Sequence, residues 1–527
     1  MAKPEYNFSL IERGIAAISP KWAYERHKTR VAMAVTGGYS GAGYSERMRN
    51  WTPGGGDADT DIVRDLRELR ARSRDLVRNS PVAGGAIETQ VTNIVGTGLS
   101  VQPRINAKLL GMSTEQAKAW QDVVMSEFSL WAESVFCDYY QQQTFYEMQD
   151  LALRAALESG DSFGLMTDVK IQDWPYKLAL QIIEADRVSN PDGSADTATQ
   201  VQGIEKSDSG IPVAAHVCNK HPQQYGSYAQ GAKWTRVAFR SGGRTNLIHL
   251  YRKIRPTQSR GVPCLAPVIE PLKQLARYTE AEIAAAVVAG SFAVFVKMDS
   301  AAFDTTFNAD AQATIVNNAK SWDGTIQPGS AVNLLPGESI ETADASRPNP
   351  NFDPFVSAIM GQIGIGLNIP KEVLMKHFQS SYSAARAALM DAWRTFKIRR
   401  TWMAAKFCQP IYEEFLAEAV SSGRISAPGF FADAAIRKAW CSATWHGDGP
   451  GAIDPEKEVG AAEKRVNMGL TTLDEEIVAY DGGSWDQKHP QQTVERAARE
   501  KAGLVAPLVA PMAPGAAPID KKPVPKN

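Results

Sequence analysis

The residues able to do chemistry are few and scattered. Glu184 and Asp186 sit at the end of an alternating segment, Lys177 to Ile183, where paired carboxylates could bind a divalent metal and support hydrolysis of a phosphodiester. One pair is thin support for such a nuclease, whose remaining ligands would have to come from distant residues. His446-Gly447-Asp448 offers two further ligand types, but no third is evident, and a turn satisfied by its own hydrogen bonds is the simpler reading. Gly54-Gly55-Gly56 does not fit a phosphate cradle, because no strand precedes it and no Gly-Lys-Ser/Thr follows. The sequence has no GxSxG, HExxH, Walker A, EF-hand or CxxC pattern. The expectation is therefore no catalytic residue, no metal site and no cofactor. Two cationic groupings remain: an arginine stripe at Arg64, Arg67, Arg70, Arg74 and Arg78, and a polar stretch from Lys371 to Tyr382 followed by a basic helix. Asp65, Glu68 and Asp75 interleave with the stripe, which reads as a solvated or subunit-contact face.

The elements that must position these groups centre on Asn351 to Val420. Phe352, Phe355, Val356, Ile359, Ile363 and Leu367 recur at helical spacing, and Asn368-Ile369-Pro370 ends that helix. Lys371 to Tyr382 then reads as a constrained polar loop. From Ser383 a long helix carries Leu389, Trp393, Phe396, Met403, Phe407, Ile411 and Phe415 on one stripe, with a kink expected at Pro410. Arg386, Arg394, Lys397, Arg399, Arg400 and Lys406 make it basic.

Bulk properties exclude several classes. A chain of 527 residues suggests roughly three or four domains, and 44% apolar with 22% charged residues is a globular balance. A net charge of −1 argues against a surface coated for tight nucleic-acid binding, while leaving room for a local basic patch. Five separated cysteines form neither a disulfide framework nor a metal site and suit a reducing cytosol. The longest uncharged apolar run, Ile283 to Val296, falls short of the roughly 18–20 residues that cross a bilayer, and no signal peptide is read.

In chain order, residues 1–60 read as a flexible arm with a Gly-rich linker over Met33 to Gly56. Residues 61–260 read as a mixed α+β domain. Its helices are expected at Asp57–Asn79, Pro81–Val95, Ser113–Trp131 and Phe145–Ser159, and its strands at Leu99–Pro103, Lys177–Ile183, Val201–Glu205, Pro212–Val217 and Leu247–Lys253. A long helix follows at Gly261–Gly290. Residues 291–350 read as a small α/β insert, with strands at Phe292–Val296 and Ser330–Leu335 around a helix near Asp310–Lys320. Beyond the long basic helix, Glu456–Asn467 is helical and Thr472 with Glu475 forms a capping box. From Gly503 onward the Pro/Ala/Val tail reads as disordered. The fold class expected is helix-rich α+β.

Several short motifs, in order, resemble the lambda-type bacteriophage portal proteins. They include Arg72-Ser73-Arg74-Asp75-Leu76-Val77-Arg78-Asn79-Ser80-Pro81, Asn93-Ile94-Val95-Gly96-Thr97-Gly98, Ile183-Glu184-Ala185-Asp186-Arg187 and Gly203-Ile204-Glu205. Further on come His249-Leu250-Tyr251-Arg252, Gln258-Ser259-Arg260-Gly261-Val262-Pro263, Ser380-Ser381-Tyr382-Ser383-Ala384-Ala385-Arg386, Asp454-Pro455-Glu456-Lys457-Glu458 and Gly469-Leu470-Thr471-Thr472. The resemblance runs over roughly residues 5–500.

It implies a homo-oligomeric ring, usually a dodecamer, at one capsid vertex of a virion assembled in the host cytoplasm. Duplex DNA would pass through it during packaging by the terminase large subunit and during ejection. A head–tail adaptor (head completion protein) and the major capsid or scaffold protein would be further partners, with no membrane. Carried onto this chain, residues 61–260 would be most of the wing, 261–290 and 351–370 the stem, 291–350 the clip and 371–382 the tunnel loop. Residues 383–454 would return across the wing, 455–503 would form the crown and 504–527 a tail. Loose, sequence-independent contact with DNA would fall to Lys371, Lys376, His377, Gln379 and Ser381, with Arg386 flanking; the alternative for Lys371 and Lys376 is pairing with neighbouring subunits. Gly361, Gly364 and Gly366 would let the stem bend or pack closely. The rival readings are the dispersed-carboxylate nuclease built on Glu184 and Asp186, and an unrelated ring-forming scaffold.

Overall fold

The computed structural model describes residues 9–35, 50–222, 224, 231–290, 294–298, 310, 338–342, 349–378, 381–451 and 454–504. It divides into two compact units, Met1–Asp57 and Ala58–Asn527.

The first unit adds two helices to the segment expected to be a flexible arm. Ser9 accepts the backbone N–H of Glu12, and the Glu12 carboxylate reaches back to the Ser9 N–H, a capping box that opens a helix at Leu10–Ile18. After Ser19 a second helix, Pro20–Val35, starts with proline at its first position, where a missing N–H costs nothing. The pair folds as a hairpin that buries Ala23 and brings Glu12 within 3.6 Å of His27. Most of the Gly-rich linker expected after it lies outside the described residues.

The second unit is helix-rich α+β. Its helices Ala58–Asn79, Pro81–Ile94, Thr114–Ala132 and Phe145–Ser159 start within about one residue of their sequence signals, because Ser80, Ser113 and Thr144 cap the last three. Strand Asp161–Asp168 is the centre of an antiparallel sheet between Leu178–Glu184 and Leu247–Tyr251. A second antiparallel sheet orders Gln200–Val201, Ile204–Lys206, Pro212–Cys218 and Trp234–Ala238. Phe163, Ile183, Val188, Ile204, Ala215, Val217 and Leu247 form a small core shared by the two sheets.

The main core is aromatic. Phe128 meets Phe415 at 5.2 Å and Phe145 at 5.8 Å, both edge-on, while buried Trp131 donates its indole N–H to the Leu178 carbonyl at 2.9 Å. These contacts tie the early helices to the late one. So does the strand Ser100–Pro103, which pairs antiparallel with Ala443–His446, Ser100 facing His446.

The helix expected over Gly261–Gly290 runs from Ile269 to Gly290, since Pro263 and Pro267 hold the preceding chain in a turn and a single 3-10 segment, Ala266–Val268. It packs against Phe352–Leu367, with Tyr278 touching Phe352 at 5.6 Å and Phe355 at 4.6 Å. Between them, Val294–Met298 pairs antiparallel with Glu338–Thr342. The described partner strand therefore begins just after Pro336-Gly337; the Ser330–Leu335 strand and nearly all of the Asp310–Lys320 helix lie outside the described residues. Among the described residues no helix is long and apolar enough to cross a membrane.

The long helix spans Tyr382–Met403, passes through a π turn at Ala404–Cys408, and continues as Gln409–Ser421. The break expected at Pro410 thus falls one turn earlier, where the Gln409 N–H reaches back five residues to the Ala404 carbonyl. Its cause is legible in the spacing. Met403, Phe407, Ile411 and Phe415 recur every four residues and are all fully buried. In an uninterrupted α-helix, twelve residues of that rhythm would drift about 120° around the axis. The extra residue of the π turn removes most of the drift and keeps all four in one core.

Candidate functional site

The helix Phe352–Leu367 ends at Asn368, which takes the left-handed conformation (φ 55°) and donates its N–H to the Gly364 and Ile365 carbonyls. The chain folds back so tightly that a Cβ on Gly364 would lie 2.6 Å from the Ile369 carbonyl oxygen. A Cβ on Gly366 would meet Val268 at 2.5 Å, whereas one on Gly361 would meet nothing within 4 Å. Gly364 and Gly366 are points of close packing; Gly361 is open.

The next stretch departs from the expected loop. Lys371–Met375 is a short helix that buries Val373 and Leu374, and Lys376 closes it in the left-handed conformation (φ 52°). The two apolar residues sit side by side, which sequence periodicity over five residues cannot separate from a loop. Lys371 is engaged within the subunit, its Nζ donating to Ser357 Oγ at 2.8 Å. Ser381 caps the long helix by accepting the Ala384 N–H. Arg386 reaches towards Glu458 at 3.8 Å, bringing the start of the long helix beside the start of the helix Pro455–Asn467. Lys376 and His377 stay exposed, next to exposed Met375 and Phe378. Gln379 lies outside the described residues. The five described candidates therefore split: Lys376 and His377 face solvent, while Lys371, Ser381 and Arg386 have partners within the subunit.

The arginine stripe, expected to be a solvated or subunit-contact face, is partly turned into the subunit. Arg70 is only 4% exposed and donates to Asp161 Oδ1 at 2.7 Å and to the Ser159 carbonyl at 2.9 Å. Arg74 pairs with Asp186 and donates to Ser159 Oγ. Arg260, fully buried, grips Asp161 with two donors at 2.7 and 3.2 Å and satisfies the carbonyls of Ala185 and Val188. The Gly261 N–H and His249 Nε2 complete the shell of Asp161, at 3.0 and 3.2 Å.

Burial alone would raise the Asp161 carboxyl, but Arg260 and Arg70 override it and hold the group well below the usual carboxylate range. Burial lowers Arg70 to about 10, partly offset by Asp161. Burial likewise lowers His249, which stacks between Phe163 at 4.2 Å and Tyr251 at 4.1 Å. Asp161 and His249 were not candidates from the sequence. The only signal available was the adjacency of Ser-Gly-Asp to a capped helix end, which does not single out a carboxylate.

Glu184 and Asp186 lie among nitrogen-bearing side chains. Asp186 opposes burial with Arg74 and Arg70 and is held low, and His221 lies 3.4 Å from Asp186 and 3.5 Å from Glu184. Arg70 and Arg74 already engage Asp186, and no cluster of three or more metal-ligating residues occurs among the described residues. His446-Gly447-Asp448 is a satisfied turn: Asp448 accepts the Thr97 N–H at 2.9 Å and its hydroxyl at 3.0 Å, and His446 Nε2 meets Gln102 Oε1 at 2.9 Å. Arg400 reinforces it, donating to the carbonyls of Gly447 and Asp448 and to those of Asn93 and Ile94, all at 2.9–3.0 Å.

Comparison with known proteins gives a consistent picture. Residues 44–400 match the family described as "Phage portal protein, lambda family". Portal protein B of Escherichia phage lambda is 27% identical over 487 residues, covering 89% of this chain and 90% of that protein. The portal protein of Escherichia phage N15 is 27% identical over 488 residues, covering 89% and 91%. Among solved structures, a chain from the neck of a native gene transfer agent particle, computed with C12 symmetry, aligns over 80% of this chain and 94% of its own length, with 11% identity and a TM-score of 0.42.

Proposed function

Because the chain belongs to the lambda family of phage portal proteins, we propose that it forms a closed ring, of twelve subunits, at one vertex of the phage head and that duplex DNA passes through the ring during packaging and ejection. The observation that carries this reading is the family match across residues 44–400, which spans the helical pair and the first half of the long helix that follows. The paired helices Ile269–Gly290 and Phe352–Leu367 suit a stem, the two-stranded insert between them a clip, and the helices after Asp454 a crown. In this reading the wing comprises the two antiparallel sheets and the helices packed on them. The clip meets the terminase large subunit and later a head–tail adaptor, and the outer wing meets the major capsid or scaffold protein.

The tunnel segment follows the short helix Lys371–Met375. A conduit must hold DNA weakly, since each phosphate neutralised adds salt-dependent affinity and would slow movement. Exposed Lys376 and His377 suit that loose contact when repeated around a ring. Lys371, already bonded to Ser357, and Ser381, already a helix cap, are supports of the segment in this reading, and Arg386 links it to the crown helix.

Native mass spectrometry with negative-stain imaging tests the ring. A closed assembly of about twelve copies with a central hole wide enough for a duplex, ~20 Å across, is the expected outcome. A twofold dimer that cuts DNA would sink the reading. Packaging by heads carrying Lys376→Ala with His377→Ala tests the tunnel assignment; unchanged packaging kinetics would remove these two residues from the channel.

A further inference from the structure

The helix Ala58–Asn79 lines an open cleft of about 1510 Å³ with its arginine stripe on one side and Glu184 and Asp186 on the floor. Arg70 and Arg74 are spent inside the subunit on Asp161 and Asp186. Arg67 and Arg78 are exposed and take part in no ion pair among the described residues. They are eleven residues apart, which on an α-helix is about 16 Å along the axis and within about 20° of the same face. The cleft therefore presents two exposed arginines outside any ion pair among the described residues, although the Arg78 charge is also felt by Glu158.

The same spacing recurs with opposite charge elsewhere on the chain. On the helix Thr114–Ala132 and its C-cap, Asp122 and Glu133 are also eleven residues apart, both exposed and neither in an ion pair among the described residues. Beside them Val123 and Leu130 are 49% and 42% exposed, apolar surface that solvent does not favour. A ring made by rotation needs two different faces on each copy that complement one another, since its contacts are head to tail. A near-neutral chain with a basic pair on one helix and a matched acidic pair on another meets that need.

We propose that the cleft beside Ala58–Asn79 receives the Thr114–Ala132 helix of the neighbouring copy, antiparallel, with Arg67 opposite Glu133 and Arg78 opposite Asp122. The inference rests on the ring reading above and adds the residues that set its register. A polyphosphate is the poorer occupant. The carboxylates on the cleft floor repel a continuous line of negative charge, whereas two carboxylates spaced like the arginines can avoid them.

The experiment is a charge swap read by native mass spectrometry across protein concentration, using the full chain. The Arg67→Glu/Arg78→Glu and Asp122→Arg/Glu133→Arg variants are each expected to raise the concentration for ring assembly by at least about tenfold, and the four-residue combination to restore it. All the changed side chains are exposed, and circular dichroism melting of each variant checks that the fold is kept. Assembly by either two-residue variant as by the unaltered chain would overturn the proposal. So would failure of the combination to restore rings, which would mean a different occupant. If Arg67→Glu/Arg78→Glu leaves assembly intact and lowers binding of duplex DNA, the cleft takes phosphate and the proposal fails. If the unaltered chain forms no ring at all, the ring reading itself fails first.

Discussion

Asp161 and Arg260, 99 residues apart in sequence, form a bidentate ion pair with neither side chain exposed to solvent. The pair sits where the strand Asp161–Asp168 begins and where the chain turns towards the helix Ile269–Gly290, so it fixes the junction between these two elements.

Breaking that pair from one side leaves the other charge buried. Asp161→Asn and Arg260→Met are each expected to destabilise the subunit by about 3–5 kcal/mol, because both an ion and several carbonyls lose their partners. Urea unfolding of dissociated subunits measures it. A loss below ~1 kcal/mol would mean that water enters and solvates the site.

Stability should also depend on pH through this cluster. His249 is held neutral below its ordinary value of 6.5 by burial, with Asp161, Arg260 and Arg70 around it. The unfolded chain therefore binds more protons as pH falls through 6.5, and stability declines from there downward. Asp161, held below 3.8, adds stability that is fully present above 3.8 and lost as pH drops through its lower folded value. His249→Gln should flatten the slope between about pH 7 and pH 5 and leave the more acidic limb in place.

The glycines of the helix Phe352–Leu367 should separate by packing. Gly361→Ala is expected to stabilise the helix by up to ~1 kcal/mol, since no atom opposes the new methyl. Gly364→Ala and Gly366→Ala force the Ile369 carbonyl or Val268 to move and should cost about 1–3 kcal/mol. Thermal melting of the three variants side by side gives the order.

Arg400→Met should loosen the Gly447–Asp448 turn, where four carbonyls share one guanidinium. The expected loss is about 2–4 kcal/mol. Limited proteolysis near residue 450 should quicken in the variant, and unchanged cleavage would show that the turn holds without it.

Helices with a cap and a stripe were legible in the sequence: Phe145–Ser159 falls where Thr144 and its periodicity put it, and Thr472 with Glu475 forms the expected capping box. The site was less legible. Arg67, Arg70 and Arg78 look alike on a helical wheel, yet only Arg70 meets a buried carboxylate, and that carboxylate is 91 residues away. Periodicity reports which face of a helix is turned inward; it does not report which long side chain on the border finds a partner from another element. The pairing of Ser100–Pro103 with Ala443–His446 was hidden for the same reason. The N-terminal hairpin was missed because nearby glycines coloured the whole segment, although Ser9 and Glu12 carry the capping pattern.

The π turn at Ala404–Cys408 gives the long helix an unusual tolerance of a one-residue deletion. Removing one residue there would leave an unbroken α-helix of ordinary geometry, with Met403 and Phe415 eleven residues apart and within about 20° of the same face. Straightening the turn with its residue kept would instead swing Ile411 and Phe415 by about 100° away from the core that Met403 and Phe407 occupy. The early half of the helix and the late half, set among the aromatic residues, thus stay in phase because the turn absorbs a single surplus residue.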